Sequence, residues 1–308
     1  MKVYKSFNEF VPVRNAVVTI GTFDGVHVGH QKIIKRIREL AKTEQGETVI
    51  FTFYPHPRAV LHPESNDVKL INTLEEKIAL LEKYGIDHLI IQPFTKEFSQ
   101  LSAVEFVKNV LVNKLGTRIL VIGYNHQFGR NREGSLKNLI EMAPLYNFRV
   151  EEIPKQDIDS IAVSSTKIRN ALVEGDIETA NIYSENPFSL TGIVVKGNQM
   201  GRTIGFPTAN LHINDPSKII PKNGVYAVKV MLKDRLYNGM LNIGMRPTVG
   251  GLSRTIEVHI LDFDKSIYEE KLTIIFKSRI RDEQKFDGMD GLKQQLLKDK
   301  EDTIKLLS

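Results

Sequence analysis

Cysteine is absent from all 308 residues, which excludes disulfides, a thiolate nucleophile and cysteine-ligated zinc. No apolar run reaches the roughly 18 residues that a membrane-spanning helix needs. The start of the chain, Met1 to Phe10, lacks the continuous apolar core of a secretory signal. A cytoplasmic location is therefore expected. Internal repeats and low-complexity tracts are missing as well, and 41% hydrophobic with 26% charged residues argues against disorder. Acid, base and phosphate chemistry remain open.

The length exceeds that of one ordinary domain, so two domains with separate cores are expected. The net charge of +5 is unevenly divided: residues 1–185 carry 23 basic and 23 acidic side chains, residues 186–308 carry 19 and 14. A basic C-terminal part suits phosphate-bearing ligands and also nucleic acid.

Strand-like apolar runs at Ala16–Gly21, Thr48–Tyr54, His88–Ile91, Arg118–Gly123 and Phe148–Ile153 alternate with helices beginning near Gly29, Thr73, Ser102 and Gly134. This alternation predicts an α/β fold with a mostly parallel sheet. Helices near Ser165–Glu174 and Asp176–Tyr183 close this half. Asn186-Pro187 marks a turn, and short alternating segments follow at Leu190–Lys196, Gly224–Leu232, Leu236–Ile243, Thr255–Leu261 and Lys271–Ser278. These predict an antiparallel β-barrel or sandwich. A last helix from about Gly288 to Leu307 is expected to pack on it through Leu292, Leu296 and Leu297.

The first strand runs into Gly21-Thr22-Phe23-Asp24-Gly25-Val26-His27-Val28-Gly29-His30. Free amides at a helix start, at the carboxyl end of a strand in an open parallel sheet, favour bound phosphate. His27 and His30 share one side of the first turn and both can donate to a polyphosphate. Far downstream, Val163-Ser164-Ser165-Thr166-Lys167-Ile168-Arg169 reads as another helix start, with capping hydroxyls and two basic side chains within a turn. Between them, Gly123-Tyr124-Asn125-His126-Gln127-Phe128-Gly129-Arg130 follows a strand. Taken singly, each has a plain explanation: surface histidines, an N-cap, and a strand-to-helix loop with a core phenylalanine.

Together these segments resemble the nucleotidyltransferase superfamily. The glycine-rich turn resembles the phosphate loop of bacterial FAD synthetases. The second segment is similar to the signature Ile-Ser-Ser-Thr-x-Ile-Arg, with valine in first place, and the third to a Gly-x-Asp/Asn-x-x-Phe-Gly loop. The resemblance implies an ATP site built from Gly21, Phe23, Asp24, His27, Gly29, His30, Ser164, Thr166 and Arg169. It also implies a flavin or nucleotide pocket with Asn125, Phe128 and Arg130, and with Pro55 and His56 of a Pro-His-Pro loop. The implied reaction is attack of the FMN phosphate on the α-phosphorus of ATP, with positioning and charge neutralisation by His27, His30, Arg169 and Mg²⁺. Asp24 either orients the turn or contacts the metal through water. Asn125 acts by hydrogen bonding, since it carries no charge.

The segment Lys196-Gly197-Asn198-Gln199-Met200-Gly201-Arg202-Thr203-Ile204-Gly205-Phe206-Pro207-Thr208-Ala209-Asn210 resembles the signature of riboflavin kinases. It is neither a Walker loop nor a protein-kinase glycine loop, whose lysine and strand-helix setting are missing. The resemblance implies ATP binding by Gly197, Gly201, Arg202, Thr208 and Asn210, with Thr208 and Asn210 as oxygen ligands of ATP-bound Mg²⁺. In Thr255-Ile256-Glu257-Val258-His259-Ile260, alternation alone makes Glu257 a solvated strand residue. The kinase family's Thr-x-Glu-x-His strand makes it the catalytic carboxylate that accepts the substrate hydroxyl's proton. Asn242-Ile243-Gly244-Met245-Arg246-Pro247-Thr248 resembles a segment shaping the nucleotide side, and Arg281 and Phe286 match a flavin-side loop.

The chain is thus identified as a member of the bacterial bifunctional riboflavin kinase/FAD synthetase family. The resemblance implies an FMN adenylyltransferase domain at 1–185 and a riboflavin kinase domain at 186–308. Riboflavin, FMN, FAD and ATP are the implied substrates or products, with Mg²⁺ and with no nucleic-acid or membrane partner. One rival is a nucleotidyltransferase for another substrate, with the barrel as a binding module; the kinase signature opposes it. A nucleic-acid-binding protein is the other, and the scattered basic residues without an interleaved aromatic platform oppose that.

Overall fold

The computed structural model describes residues 1–64, 68–124, 126–154, 163–197, 200–248 and 251–308. The chain divides into two compact units, Met1–Ser165 and Thr166–Ser308.

The first unit is built on parallel strands β1 (Lys2–Tyr4), β2 (Ala16–Ile20), β3 (Thr48–Tyr54), β4 (His88–Pro93), β5 (Thr117–Gly123) and β6 (Arg149–Ile153), in the order β1-β4-β3-β2-β5-β6. Helix α1 (Val28–Thr43) follows β2 and helix α2 (Leu74–Lys83) precedes β4. All residues of β2 are buried, because alternate residues face two different cores. Ala16, Val18 and Ile20 join Phe51, Phe106 and Leu120 on one face. Val17 joins Ile34, Ile37 and Leu81 on the other. A sheet covered on both sides explains why its strands read as continuous apolar runs. Edge strand β1, absent from the sequence reading, is a three-residue addition with exposed residues.

Chain connections leave β2 toward β3 on one side, while β5 leads to β6 on the other. The carboxyl ends of neighbouring β2 and β5 therefore form the topological switch point, where open α/β sheets hold their ligands. Two of the motifs begin there.

In the second unit, helices α3 (Ser165–Glu174, whose first residue closes the first unit) and α4 (Ile177–Ser184) precede a closed barrel. Its strands are β7 (Ser189–Val195), β8 (Ala209–His212), β9 (Gly224–Leu232), β10 (Arg235–Thr248), β11 (Gly251–Ile260) and β12 (Lys271–Arg281). They close in the order β10-β11-β8-β7-β12-β9, with antiparallel neighbours throughout. The unit reaches further back along the chain than residue 186. Helix α4 packs on β12, Asn181 donates to the Phe276 carbonyl, and the Lys222 amide donates to the Leu172 carbonyl. Helix α5 (Met289–Leu307) packs on β9, β10 and β12. Leu297, expected to pack, is 49% exposed, whereas Asp299 is fully buried.

Candidate active sites

At the end of β2 the turn is tightly wound. Phe23, Gly25 and Val26 have φ of 47°, 84° and 38°. A β-branched residue at positive φ is strained by about 1–3 kcal/mol, and burial of Val26 among the helix packing holds it there. Asp24, 1% exposed, accepts from the Ile71 amide at 3.0 Å and the Asn72 amide at 3.2 Å. Its carboxylate thereby ties the turn to the loop before α2. Buried Lys77 donates from Nζ to the Thr22 carbonyl at 2.7 Å. Burial lowers the Lys77 pKa and the Asp24 charge opposes that shift.

His27 caps α1, its Nδ1 accepting from the His30 amide at 3.4 Å. In the neutral ring that leaves the proton on Nε2. The two imidazoles stack with centroids 3.7 Å apart and planes at 19°. Burial, then the neighbouring His27, then Lys77 push the His30 pKa well below its ordinary value, so the stacked pair is held with His30 neutral. Buried His30 Nδ1 has no hydrogen-bond partner.

Ser165 Oγ donates to the Asp24 carbonyl at 2.9 Å. This one contact joins the two distant motifs. Ser164 directly precedes it, and on α3 Thr166 is exposed and Arg169 half-buried. Phe128 is a core residue, 8% exposed and packed on Phe106 with centroids 5.6 Å apart. Arg130 is exposed, with its amide bonded to the Leu101 carbonyl. His56 caps the short helix Pro57–Leu61, accepting from the Arg58 amide, and Pro55 is exposed beside it. Asn125, and Asn198 and Gln199 of the kinase signature, lie outside the described residues.

In the barrel Glu257 occupies the middle of β11, opposite Asn210 of β8 and Asn242 of β10. The alternation argument expected a solvated face there. Instead Glu257 is 6% exposed and Ile256 on the opposite face 7%, and each face of β11 also contributes residues to a cavity. One cavity, about 310 Å³, is lined by Glu257 and His259 with Gly201, Thr208, Arg281 and Phe286. The other, about 400 Å³, is lined by Val258 and Ile260 with Arg202, Pro207 and Tyr268. Thr208 borders both, and its hydroxyl donates to Glu257 Oε2 at 3.2 Å. Arg246 places NH2 2.7 Å from Glu257 Oε1, a close ion pair without the alignment of a hydrogen bond. A Cβ on Gly197 would lie 2.2 Å from Asn210 Nδ2, so the Asn210 amide packs directly on the Gly197 backbone.

Two stretches of the chain match known families: residues 11–167 match FAD synthetase and residues 184–307 riboflavin kinase. The Bifunctional riboflavin kinase/FMN adenylyltransferase of Listeria monocytogenes is 41% identical over 94% of this chain and 91% of its own length. The chain belongs to the bifunctional riboflavin kinase/FMN adenylyltransferase family. The Bacillus subtilis member is 37% identical, with 95% and 93% of the two chains covered. A crystal structure from Streptococcus pneumoniae, described as a macrolide-efflux protein, superposes with a TM-score of 0.89 at 32% identity over 98% of both chains. Among the described residues no helix is long and apolar enough to cross a membrane.

Arg281, matched by sequence to the family's flavin-side loop, borders the first cavity, but its guanidinium is engaged elsewhere. It bonds both oxygens of Asp299 through Nε and NH2, at 2.7–3.2 Å, and NH1 donates to the Asp282 carbonyl. Its Cζ lies 5.7 Å from the Phe286 ring centroid, so Arg281 touches both Asp299 of α5 and Phe286. His259 was quoted in the kinase strand but given no role. Its Nδ1 lies 2.8 Å from the Pro207 carbonyl, an acceptor, which assigns the proton to Nδ1. Burial lowers its pKa, against the opposing effect of that bond. A neutral His259 thus anchors Pro207 and, next to it, Thr208. Ser165, Lys77 and Arg246 are the other contributors that motif reading missed. The signal for Ser165 lay in the Ser-Ser-Thr segment and that for Arg246 in the segment from Asn242 to Thr248, whereas Lys77 lies in no motif.

Proposed function

We propose that the barrel carries the kinase reaction and the parallel-sheet unit the adenylyl transfer of a chain that is a riboflavin kinase and an FMN adenylyltransferase. ATP-dependent phosphorylation of riboflavin gives FMN, and adenylylation of FMN gives FAD with release of pyrophosphate. By sequence order residues 1–185 serve the second step and 186–308 the first, although α3 and α4 are packed with the barrel. The reading places the enzyme in the cytoplasm, where both steps find ATP.

One observation carries the kinase assignment: the Thr208 hydroxyl on Glu257 at the wall shared by two cavities. A phosphoryl transfer needs two substrates meeting at a proton acceptor. The cavity holding Phe286 takes the flavin, and the one holding Arg202 takes the nucleotide. Glu257 accepts the proton of the flavin hydroxyl as oxygen bonds to the γ-phosphorus and ADP leaves. The oxygen donors of Thr208, Asn210 and Glu257 fit magnesium, a hard cation that takes oxygen ligands and shares its shell with phosphates. When bound, magnesium neutralises charge on the transferring phosphoryl group. Thr208 fixes the Glu257 carboxylate, and His259 fixes the segment carrying Thr208.

For adenylyl transfer the turn after β2 presents the N-terminus of α1 to phosphate. His27 and His30 stand at that terminus as ring N–H donors for a polyphosphate, with His30 held neutral by burial and its neighbours. Asp24, Ser165 and Lys77 hold the turn in its strained form.

The test is a chromatographic assay with riboflavin, ATP and Mg²⁺ that follows FMN and FAD. Wild type produces FMN and then FAD. Glu257→Ala lowers FMN formation by on the order of 10³-fold while conversion of supplied FMN to FAD persists. His27→Ala combined with His30→Ala does the reverse. Loss of both activities in either variant would overturn the division.

A further inference from the structure

The cavity that holds Glu257 must accommodate phosphate charge, yet its cations are few. Among the described residues lining it, the basic ones are Arg246, Arg281 and His259. Arg281 is bound to fully buried Asp299 on two nitrogens. His259 is engaged through Nδ1 with the Pro207 carbonyl. Arg246 differs, because its partner is the carboxylate assigned to accept the proton.

The backbone shows how this pairing arises. Asn242, Gly244 and Arg246 alternate along β10, opposite Glu257, Thr255 and Ser253 of β11. They share one face of the sheet. Gly244, lacking a side chain, leaves a gap that Arg246 crosses to reach Glu257. Glu283 closes that gap from the far side: a Cβ on Gly244 would lie 2.2 Å from its Oε1, which accepts from the Met245 amide at 3.3 Å. The Arg246 side chain is 35% exposed and that of Glu257 8%. The guanidinium therefore has a solvent-facing side from which to move, and the carboxylate has none.

A phosphate oxyanion competes well for the same guanidinium, whose fork suits either acid. We infer that Arg246 is a phosphoryl-binding residue of the kinase reaction, which pairs with Glu257 in the free protein and transfers to the γ-phosphate of ATP on binding. The exchange keeps one ion pair throughout and frees Glu257 Oε1 as ATP arrives. The proton of the flavin hydroxyl then passes to Glu257, the hydroxyl oxygen bonds to the γ-phosphorus, and the bond to the bridging oxygen of ADP breaks.

The inference rests on the kinase reading of this cavity, so Glu257→Gln is measured alongside. If Glu257→Gln still forms FMN at the wild-type rate, the reading of the site itself fails, whatever Arg246 does. Given a Glu257→Gln variant that is inactive, Arg246→Gln lowers kcat for FMN formation by on the order of 10³-fold and raises KM for ATP. KM for riboflavin changes by less than about twofold, as expected for a loss confined to the transition state and the nucleotide. Arg246→Lys, which keeps the charge but not the fork, recovers about tenfold of that loss. In Arg246→Gln the cavity residues left beside Glu257 are Thr208, Asn242 and His259, with Arg281 and Glu283 beyond, and none of these replaces the missing cation. A thermal melt at the wild-type temperature shows that the barrel is folded. If Arg246→Gln melts early, the lysine variant decides. Equal losses in the lysine and glutamine variants, or a kcat within threefold of wild type in Arg246→Gln, would overturn the inference.

Discussion

At the scale of single residues, two buried imidazoles set a pH dependence of their own. Burial lowers the pKa of His126 to about 4, and burial with its neighbours lowers that of His30 well below its ordinary value. A buried nitrogen in each lacks a hydrogen-bond partner. Unfolded histidine titrates near pH 6.5. Above that pH both states are neutral. As pH falls below it, the unfolded chain takes up protons that the folded chain refuses, so stability falls. For His126 the loss between pH 7 and pH 5 amounts to about 2 kcal/mol. In urea titrations at the two pH values, wild type is expected to lose that much more stability than His126→Gln; equal losses would mean His126 protonates freely in the fold. The pairing of His27 and His30 was legible because three-residue spacing at a helix start puts both on one side of the first turn, where they stack. Lys77 was not: on a helix its charge reads as solvated, and only the Thr22 carbonyl, 55 positions away, reveals its burial.

Among the elements, long strands and helices were legible and short or composite ones were not. Strand β8, the four residues Ala209–His212, is hidden inside the riboflavin kinase signature, where glycine and proline signal a loop. It nonetheless sets Asn210 opposite Glu257. The face of β11 was misjudged because alternation distinguishes two faces but does not say that each borders a cavity. Helix α5 was found, yet its packing rests less on Leu297 than on the pair of Asp299 with Arg281. Removing one partner of a buried pair leaves the other uncompensated, typically at 3–5 kcal/mol. Asp299→Ala is therefore expected to destabilise the barrel by about 3 kcal/mol and to weaken riboflavin binding by releasing Arg281 and Phe286. Exposed Leu297→Ala should stay within about 0.5 kcal/mol of wild type. Chemical denaturation with riboflavin titration checks both, and comparable effects of the two changes would remove the ion pair from this account.

For the molecule as a whole, the order of signatures along the chain carried the family assignment and the topology explains why they belong together. Strand order alone brings the turn after β2 and the loop after β5 to one switch point, a relation that no spacing between Gly21 and Gly123 encodes. The excess positive charge of residues 186–308 accompanies the part that takes riboflavin and ATP. On the proposed reading each activity has its own proton, phosphate and positioning groups, and FMN is the product of one and the substrate of the other. Glu257→Gln, unable to make FMN, should still convert supplied FMN to FAD. His27→Ala with His30→Ala should make FMN from riboflavin and stop there. Neither variant alone yields FAD from riboflavin, but an equimolar mixture is expected to, after a lag in which FMN accumulates in solution. The lag should shorten as the concentration of the kinase-competent variant is raised. A mixture that fails to form FAD, although each variant keeps its single activity, would mean that FMN does not leave the protein that makes it, and that the two sites work as one.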